Sequence, residues 1–277
     1  MPLADLPAST TGPEAAVVRV LSYNIRSMRD DREALARVIR ACAPDVVCVQ
    51  EAPRFFRWRK AAAWLARETG LVYTTGGATA AGPMILTSLR AHVERAEDTL
   101  LPRVPGLHRR GFATAVLRFG GGHRDTGLRD IGLRDGGRPE NGGGNGVRLG
   151  VVSCHLSLAE AERYEQAGML LDHLTGLDVP YAIAAGDIND RPDGRAFRRI
   201  AGKLRDGWAT EPWGSEATFS PTDPHQRIDG IFASEGIEII GCGVPAGLPG
   251  VTDADLRAAT DHLPVLAALR LPRVSPV

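Results

Sequence analysis

VVRVLSYNIRSMRDDREALARVIRACAPDVVCVQE, residues 17–51, reads as strand, helix, strand. Residues 17–23 carry β-branched residues with partial alternation, the pattern of a strand. Leu35, Val38, Ile39 and Cys42 recur at spacings of three and four, which lays an apolar stripe along a helix over 31–42. Asp30 stands where a cap is expected. Pro44-Asp45 punctuates the chain, and Val46 to Gln50 is a short run of the buried-strand type. Both strands end in polar groups, Asn24 after the first and Gln50-Glu51 after the second.

The same alternation continues outward. Residues 54–69 predict a second helix whose Phe56, Ala63, Trp64 and Leu65 form an apolar stripe, read as core. From 71 to 119 the pattern changes to short β-runs separated by turn residues. A strand over 147–154, a helix over 159–175 with Tyr164, Met169, Leu170 and Leu174, and a buried strand over 180–186 follow. Asp193 to Leu204 reads as a short helix, 227–233 and 236–244 as a β-hairpin, and Leu263 to Leu271 as a final strand. Two packed mixed sheets with helices outside accommodate this order, an α/β class. No linker divides the chain, so residues 17–272 are expected to form a single domain. Residues 1–16, rich in Pro, Ala and Thr, read as a disordered tail. Residues 120–146 are Gly-rich, contain the imperfect repeat GLRD-IGLRD and lack large apolar residues. They cannot bury enough surface to offset their ordering entropy, so a flexible insertion at a hairpin tip is expected. Arg alternates with Asp there, which argues against a nucleic-acid-binding arm.

Composition narrows the function classes. The chain has 277 residues, 43% hydrophobic and 24% charged, with net charge zero. That balance argues against binding nucleic acid by bulk electrostatics, though not against a local basic patch. Cys42, Cys48, Cys154 and Cys242 form no C-x-x-C pair and sit in or beside apolar runs, so buried free thiols are expected rather than a zinc site or a disulfide framework. The first sixteen residues have neither the basic region nor the apolar core of a signal peptide, and no apolar run is long enough to span a bilayer. A soluble cytoplasmic protein is the expectation, with no protein partner indicated.

The chemistry-bearing residues sit at strand ends. Asn24 follows VRVLSY, Glu51 follows DVVCVQ, His155 follows GVVSC, and Asp187 and Asn189 follow YAIAAG. Asp229 lies in RIDGIF, and Asp261-His262 precedes LPVLAALRL. Any one of these alone reads as a turn residue, a helix cap or a solvated histidine. Together they offer Asn, Glu, Asp and His with no Cys, a hard-donor set suited to Mg²⁺ or Mn²⁺ rather than Zn²⁺. An Asp–His pair also suits an imidazole held and charged beside a phosphate.

Six motifs carry a resemblance: LSYN (21–24), DVVCVQE (45–51), SCHL (153–156), GDIN (186–189), RIDGIF (227–232) and TDHLPV (260–265). In this order, spanning nearly the whole chain, they resemble the endonuclease/exonuclease/phosphatase superfamily, which includes pancreatic-type deoxyribonucleases, abasic-site endonucleases, inositol polyphosphate phosphatases and neutral sphingomyelinases. The resemblance implies a four-layer α/β/β/α sandwich of two mixed β-sheets flanked by helices, with the site at one edge. It implies Glu51 as the principal metal ligand, with Asn24 and Asp261 nearby in the metal shell. Asp187 would position or deprotonate the attacking water, and Asn189 would orient that water or Asp187. His262 would act on the scissile phosphate as base or electrostatic stabiliser, with Asp229 holding its ring, and His155 would donate to a phosphate oxygen. Arg110, in HRRGFATAVLRF, resembles the Arg-led strand that contacts phosphate in some nucleases; the alternative is a solvated arginine beside Arg109.

The implied activity is Mg²⁺- or Mn²⁺-dependent hydrolysis of a phosphate ester by metal- and Asp/His-assisted water attack. It leans to phosphodiester, nuclease-like cleavage, with nucleic acid among the candidate substrates. A small-molecule or lipid-headgroup phosphatase or phosphodiesterase is the alternative, and a non-catalytic binding module on the same fold is a further one. The chain departs from the abasic-site branch at Arg26, where that branch carries an acid, and shows neither that branch's tyrosine clamp nor the lipid-inserting hairpin of bacterial sphingomyelinases. Trp213, Phe219 and His225, between Trp208 and Arg227, are expected in a loop over the cleft.

Overall fold

A computed structural model describes residues 6–121 and 146–273. Its strands are β1 (Thr10–Thr11), β2 (Ala15–Asn24), β3 (Val46–Gln50), β4 (Val72–Gly76), β5 (Met84–Thr87), β6 (Ala91–Leu100), β7 (Gly111–Phe119), β8 (Val147–His155), β9 (Tyr181–Asp187), β10 (Arg205–Asp206), β11 (Asp229–Ala233), β12 (Glu238–Gly243) and β13 (Val265–Pro272). Its helices are α1 (Arg32–Cys42), α2 (Trp58–Thr69), α3 (Glu160–Thr175), α4 (Arg195–Ala201), α5 (Gly207–Thr210) and α6 (Asp253–Ala259).

The strands form two mixed sheets. The first has the order β12-β13-β2-β3-β5-β4, with β1 paired to β2; the second has the order β10-β11-β9-β8-β7-β6. Each contains a parallel pair, β2 with β3 in the first and β8 with β9 in the second. Each parallel pair is joined by a single long helix, α1 or α3, as a parallel crossover requires.

Three apolar cores separate four layers. Val18, Val20, Val46 and Cys48 of the first sheet meet Ala113, Ala115, Val151 and Ile183 of the second. On the outer face of the first sheet, Leu21, Tyr23, Val47 and Val49 pack under Leu35, Val38 and Ile39 of α1 and Leu65 of α2. On the outer face of the second, Val152, Cys154 and Ala184 pack under Leu170 and Leu174 of α3 and Phe197 of α4. The central strands are therefore buried on both faces, which is why they read as continuous apolar runs rather than strict alternation. All four cysteines are free and buried. The result is the α/β/β/α sandwich expected from the motifs. No helix among the described residues is long and apolar enough to cross a membrane.

Four expectations are corrected. Helix α1 is capped by Asp31, whose side chain accepts from Ala34 N at 2.9 Å, while Asp30 faces the Arg26 guanidinium instead. β11 and β12 do not form a hairpin: they lie in different sheets, and the chain crosses between layers after Ala233. Residues 6–16 are not a tail. Leu6 is buried, the Arg19 guanidinium donates to the carbonyls of Leu6 and Pro7, and Thr10–Thr11 pairs with β2. Residues 1–5 lie outside the described residues. Finally, α2 begins at Trp58 rather than 54, because Arg57 adopts a left-handed conformation with φ of 61°; Phe56 precedes the helix and is exposed.

The insertion expected over 120–146 lies outside the described residues from 122 to 145. Its flanks are fixed: Phe119 of β7 pairs with Val147 of β8.

Candidate active site

The register of the second sheet aligns three functional groups. His155, the last residue of β8, is the parallel partner of Asp187, the last residue of β9. Asp187 is in turn the antiparallel partner of Asp229, the first residue of β11. Three adjacent strands thus present His155, Asp187 and Asp229 in one row at the sheet edge. Close approach of β8 and β9 depends on Gly186, where a Cβ would sit 2.0 Å from the Cys154 carbonyl oxygen.

The first sheet supplies the facing groups. Asn24 and Gln50 are parallel partners at the ends of β2 and β3, and Glu51 follows. Glu51 holds a left-handed conformation (φ 52°), its carbonyl accepting from Ser27 N at 2.8 Å and its amide following the last ladder residue. Such a conformation costs a non-glycine residue about 1–3 kcal/mol and persists only where the surroundings enforce it. His262 precedes β13, and its loop is tied down by Thr260 Oγ1 donating to the Asn24 carbonyl at 3.1 Å.

A buried polar bridge joins the sheets just beneath. Ser153 Oγ of β8 donates to the Val49 carbonyl of β3 at 2.9 Å, and Gln50 Nε2 donates to Ser153 Oγ at 3.3 Å and to the Cys48 carbonyl at 2.9 Å. Ser22 Oγ donates to Gln50 Oε1 at 3.4 Å. Each polar group finds a partner, so the bridge fixes how the sheets sit on each other at the end that carries the site.

Between the sheets lies a cavity of about 540 Å³, lined by Glu51, Arg110, His155, Asp187, Asn189 and His262 among others. Asp187 is its centre. Asn24 Nδ2 donates to Asp187 Oδ2 at 3.0 Å and to Glu51 Oε1 at 3.4 Å, and its own Oδ1 accepts from Arg26 N at 3.1 Å. Asn24 thus meets both carboxylates as a donor. The Asn189 backbone amide donates to Asp187 Oδ1 at 2.9 Å, and its side-chain Nδ2 donates to the Leu156 carbonyl at 2.9 Å, bracing the end of β8 against that of β9.

The two histidines differ in charge. His262 Nδ1 lies 2.9 Å from Asp229 Oδ2, and its Nε2 lies 3.8 Å from Asp187 Oδ2. Burial opposes its charged form, but Asp229, Asp187 and Asp261 outweigh burial and raise its pKa to about 10. His155 Nε2 lies 3.4 Å from the same Asp187 oxygen. There burial prevails over the attraction of Asp187, and Arg110 and His262 add repulsion, so its pKa falls to about 3. At neutral pH the pocket therefore holds one imidazolium and one neutral imidazole.

Arg110 is buried and lines the cavity, and its Nε has no hydrogen-bond partner. Burial lowers its pKa, an effect offset by Asp187 and Glu51. A buried guanidinium on the wall of a cavity is placed to meet an anion, whereas Arg109 is exposed.

Asp261 stands apart from this group. It does not line the cavity, and its Oδ2 faces Arg26 Nε at 3.2 Å. Glu51 has no ion-pair partner among the described residues, so its carboxylate oxygens fit a hard divalent cation; Asn24 faces it with Nδ2, its oxygen being taken by Arg26 N. Asp187, Asp229 and His262 also approach closely enough to clasp an ion. There the 2.9 Å contact of His262 Nδ1 with Asp229 Oδ2 already engages two of the three groups with each other.

Of the expected cleft loop, Phe219 lines the cavity and packs at a tilt against His262, with centroids 5.1 Å apart and ring planes at 57°. Trp213 is instead core, beneath Gly241, and His225 is exposed with Nδ1 2.7 Å from the Asp223 carbonyl. Arg54, His108 and Leu158 also line the cavity and were not singled out from the sequence. The position of Arg54, three residues after Glu51, was the available signal for it.

The chain is a four-layer sandwich with carboxylates and histidines converging at one edge. The chain belongs to the endonuclease/exonuclease/phosphatase family, whose model matches residues 21–262. Members of that family are hydrolases acting on phosphate esters. Solved structures share the fold at low identity. A family protein from Bacteroides thetaiotaomicron is 17% identical, with 93% of this chain and 98% of that chain covered at a TM-score of 0.67. A mannosyl-6-phosphatase from the same species is 18% identical, with 91% and 99% covered at a TM-score of 0.68. Truncated TDP2 from Caenorhabditis elegans is 16% identical, with 91% and 97% covered at a TM-score of 0.61. No curated protein matches the chain by sequence.

Proposed function

We propose that the chain hydrolyses a phosphodiester by direct attack of water, with Mg²⁺ or Mn²⁺ as cofactor. The observation that carries this reading is the approach of a charged His262 and a neutral His155 to Asp187, with the buried Arg110 guanidinium lining the same cavity. A phosphodiester anion repels nucleophiles, so positive charge and donors must meet the phosphoryl oxygens as charge builds there.

Glu51 would hold the cation, with Asn24 alongside and Asp261 available once released from Arg26. When bound, a hard divalent ion offsets the charge developing on the phosphoryl oxygens. Asp187 would take the proton of the attacking water, since Asp229, Asp187 and Asp261 favour the charged form of His262 and suit it to stabilising charge. His262, held by Asp229, stabilises negative charge on the phosphoryl group. His155 donates a neutral N–H, and Arg110 meets an oxygen with its guanidinium from the cavity wall. Asn189 holds Asp187 by its backbone amide. The cavity is far larger than a phosphate group, which suits a phosphate esterified to further groups. Four buried free thiols suit a reducing compartment such as the cytoplasm.

A monoester is the second reading, supported by the likeness to a mannosyl-6-phosphatase. The test is a panel of plasmid DNA, single-stranded RNA, bis-p-nitrophenyl phosphate and p-nitrophenyl phosphate, each with Mg²⁺, Mn²⁺ or EDTA, and Asp187→Ala as control. Metal-dependent diester turnover that disappears in the control is expected. Turnover of the monoester alone would replace the diester reading, and activity surviving in Asp187→Ala would remove the assigned base.

A further inference from the structure

Phe55 and Phe56 are 80% and 87% exposed, adjacent in sequence, and project from the turn between Glu51 and α2. Scattered exposed apolar residues are ordinary, but two neighbouring phenylalanines at a cavity mouth are not. Arg54, the residue before them, lines the cavity, so the turn borders its entrance. Leu158, 71% exposed and carried by the second sheet's β8–α3 connection, lines the same cavity. Leu107 is exposed beside the cavity-lining His108. Leu158 thus lines the opening, and Phe55 and Leu107 each adjoin in sequence a residue that does.

The charge around the phenylalanines is one-sided. Between Glu51 and Glu68 there is no acid, and Arg54, Arg57, Arg59, Lys60 and Arg67 are all basic, in a chain of net charge zero. The Arg57 guanidinium lies 4.8 Å from the Phe56 ring centroid, and that of Arg54 lies 5.9 Å from the Phe55 centroid. Each ring is accompanied by its own cation. Rings that enter the headgroup–acyl boundary while guanidinium groups stay among phosphates match this pairing.

We propose that the Phe55–Phe56 turn docks the cavity mouth onto an anionic phospholipid bilayer. This deepens, and rests on, the reading of the cavity as a phosphoesterase site: docking would present headgroup phosphate esters to it. A single-stranded nucleic acid is the competing occupant. Base stacking needs flat, open ring faces in series. Here a guanidinium covers one face of each ring, and Leu158 and Leu107 have no face to offer.

The test is flotation of the full chain with vesicles of phosphatidylcholine alone and of phosphatidylcholine mixed with phosphatidylglycerol, alongside binding to labelled oligothymidylate. Partition onto the anionic vesicles is expected, weakened by salt. Phe55→Ser with Phe56→Ser should reduce it by at least about tenfold, with thermal unfolding and hydrolysis of soluble bis-p-nitrophenyl phosphate unchanged. Arg57→Ser with Arg59→Ser should weaken binding to the anionic vesicles. Absence of wild-type partition, or equal partition by the phenylalanine variant, overturns the proposal. Oligothymidylate binding that the same variant loses, without vesicle binding, reassigns the face to single strands and also overturns it. Vesicle binding that depends on the phenylalanines in a chain that hydrolyses nothing supports docking and removes the phosphoesterase reading instead.

Discussion

His155 and His262 reach the same carboxylate oxygen, their Nε2 atoms 3.4 and 3.8 Å from Asp187 Oδ2. Their charges differ because only His262 has a second carboxylate, Asp229, on the far side of its ring. One carboxylate thus borders a charged and a neutral copy of the same side chain.

Replacing His262 by Ala should lower kcat at least about 10²-fold, the scale of losing an acid–base or oxyanion-type group. Asp229→Asn should lose much of the same activity, and the double variant little more than His262→Ala, because Asp229 acts through that ring. Steady-state kinetics on the four proteins check this. Fully additive losses would separate the two residues.

Stability should respond to pH at both ends. The pKa of His262 is raised to about 10, above its unfolded value of about 6.5, so its contribution is fully present below pH of about 6.5 and is lost as pH rises through about 10. The pKa of His155 is lowered to about 3, so the unfolded chain binds its proton first and stability falls as pH drops below about 6.5. On that basis His155 alone should remove on the order of 2 kcal/mol between pH 6.5 and 5. Urea unfolding across pH should show a smaller acid-side loss in His155→Gln and a smaller alkaline-side loss in His262→Gln. Slopes identical to wild type in either variant would contradict the assignment.

Glu51→Gln should abolish metal-dependent turnover and weaken Mg²⁺ binding, with the fold kept. Calorimetry showing unchanged Mg²⁺ affinity would take the cation away from Glu51.

Arg110→Gln should lower kcat/KM by about 10-fold or more, the order expected for a charge-assisted hydrogen bond to an anion. Inhibition by inorganic phosphate should weaken in parallel. Kinetics with full sensitivity to phosphate would return Arg110 to a structural role.

Removing residues 122–145 should leave activity intact. The strands they join meet at Phe119 and Val147, whereas β7 begins beside Arg110 and β8 ends at His155. Nine residues of strand separate those ends, about 30 Å. A large loss of turnover in the deletion variant would place a function in that segment.

The candidate residues that the structure gathers were legible because each sits where an apolar run stops, and runs buried on both faces are conspicuous in sequence. What was not legible was which strand ends are neighbours. RIDGIF and the run over 236–244 look like hairpin partners, yet Asp229 belongs beside Asp187 and the later strand beside β13. Only sheet order, set by long-range pairing, decides that. Trp213 was misplaced for a similar reason: its segment looks like a loop, but glycines at 241 and 243 open space for the indole and its backbone against β12. Phe56 has the spacing of a core residue and lost that place when Arg57 broke the helix before it. The Arg26–Asp261 pair joins residues 235 positions apart, and no local pattern announces it.

The order of the strands has a consequence for cutting the chain. A break within 122–145 leaves one piece with Asn24, Glu51 and Arg110 and another with His155, Asp187, Asp229 and His262. Neither piece holds a whole sheet: β12 and β13 complete the sheet of the first piece, and β6 and β7 complete that of the second. The halves can regain function only by exchanging edges, so this protein carries a ready-made split point for a complementation reporter, silent until its two fragments interlock.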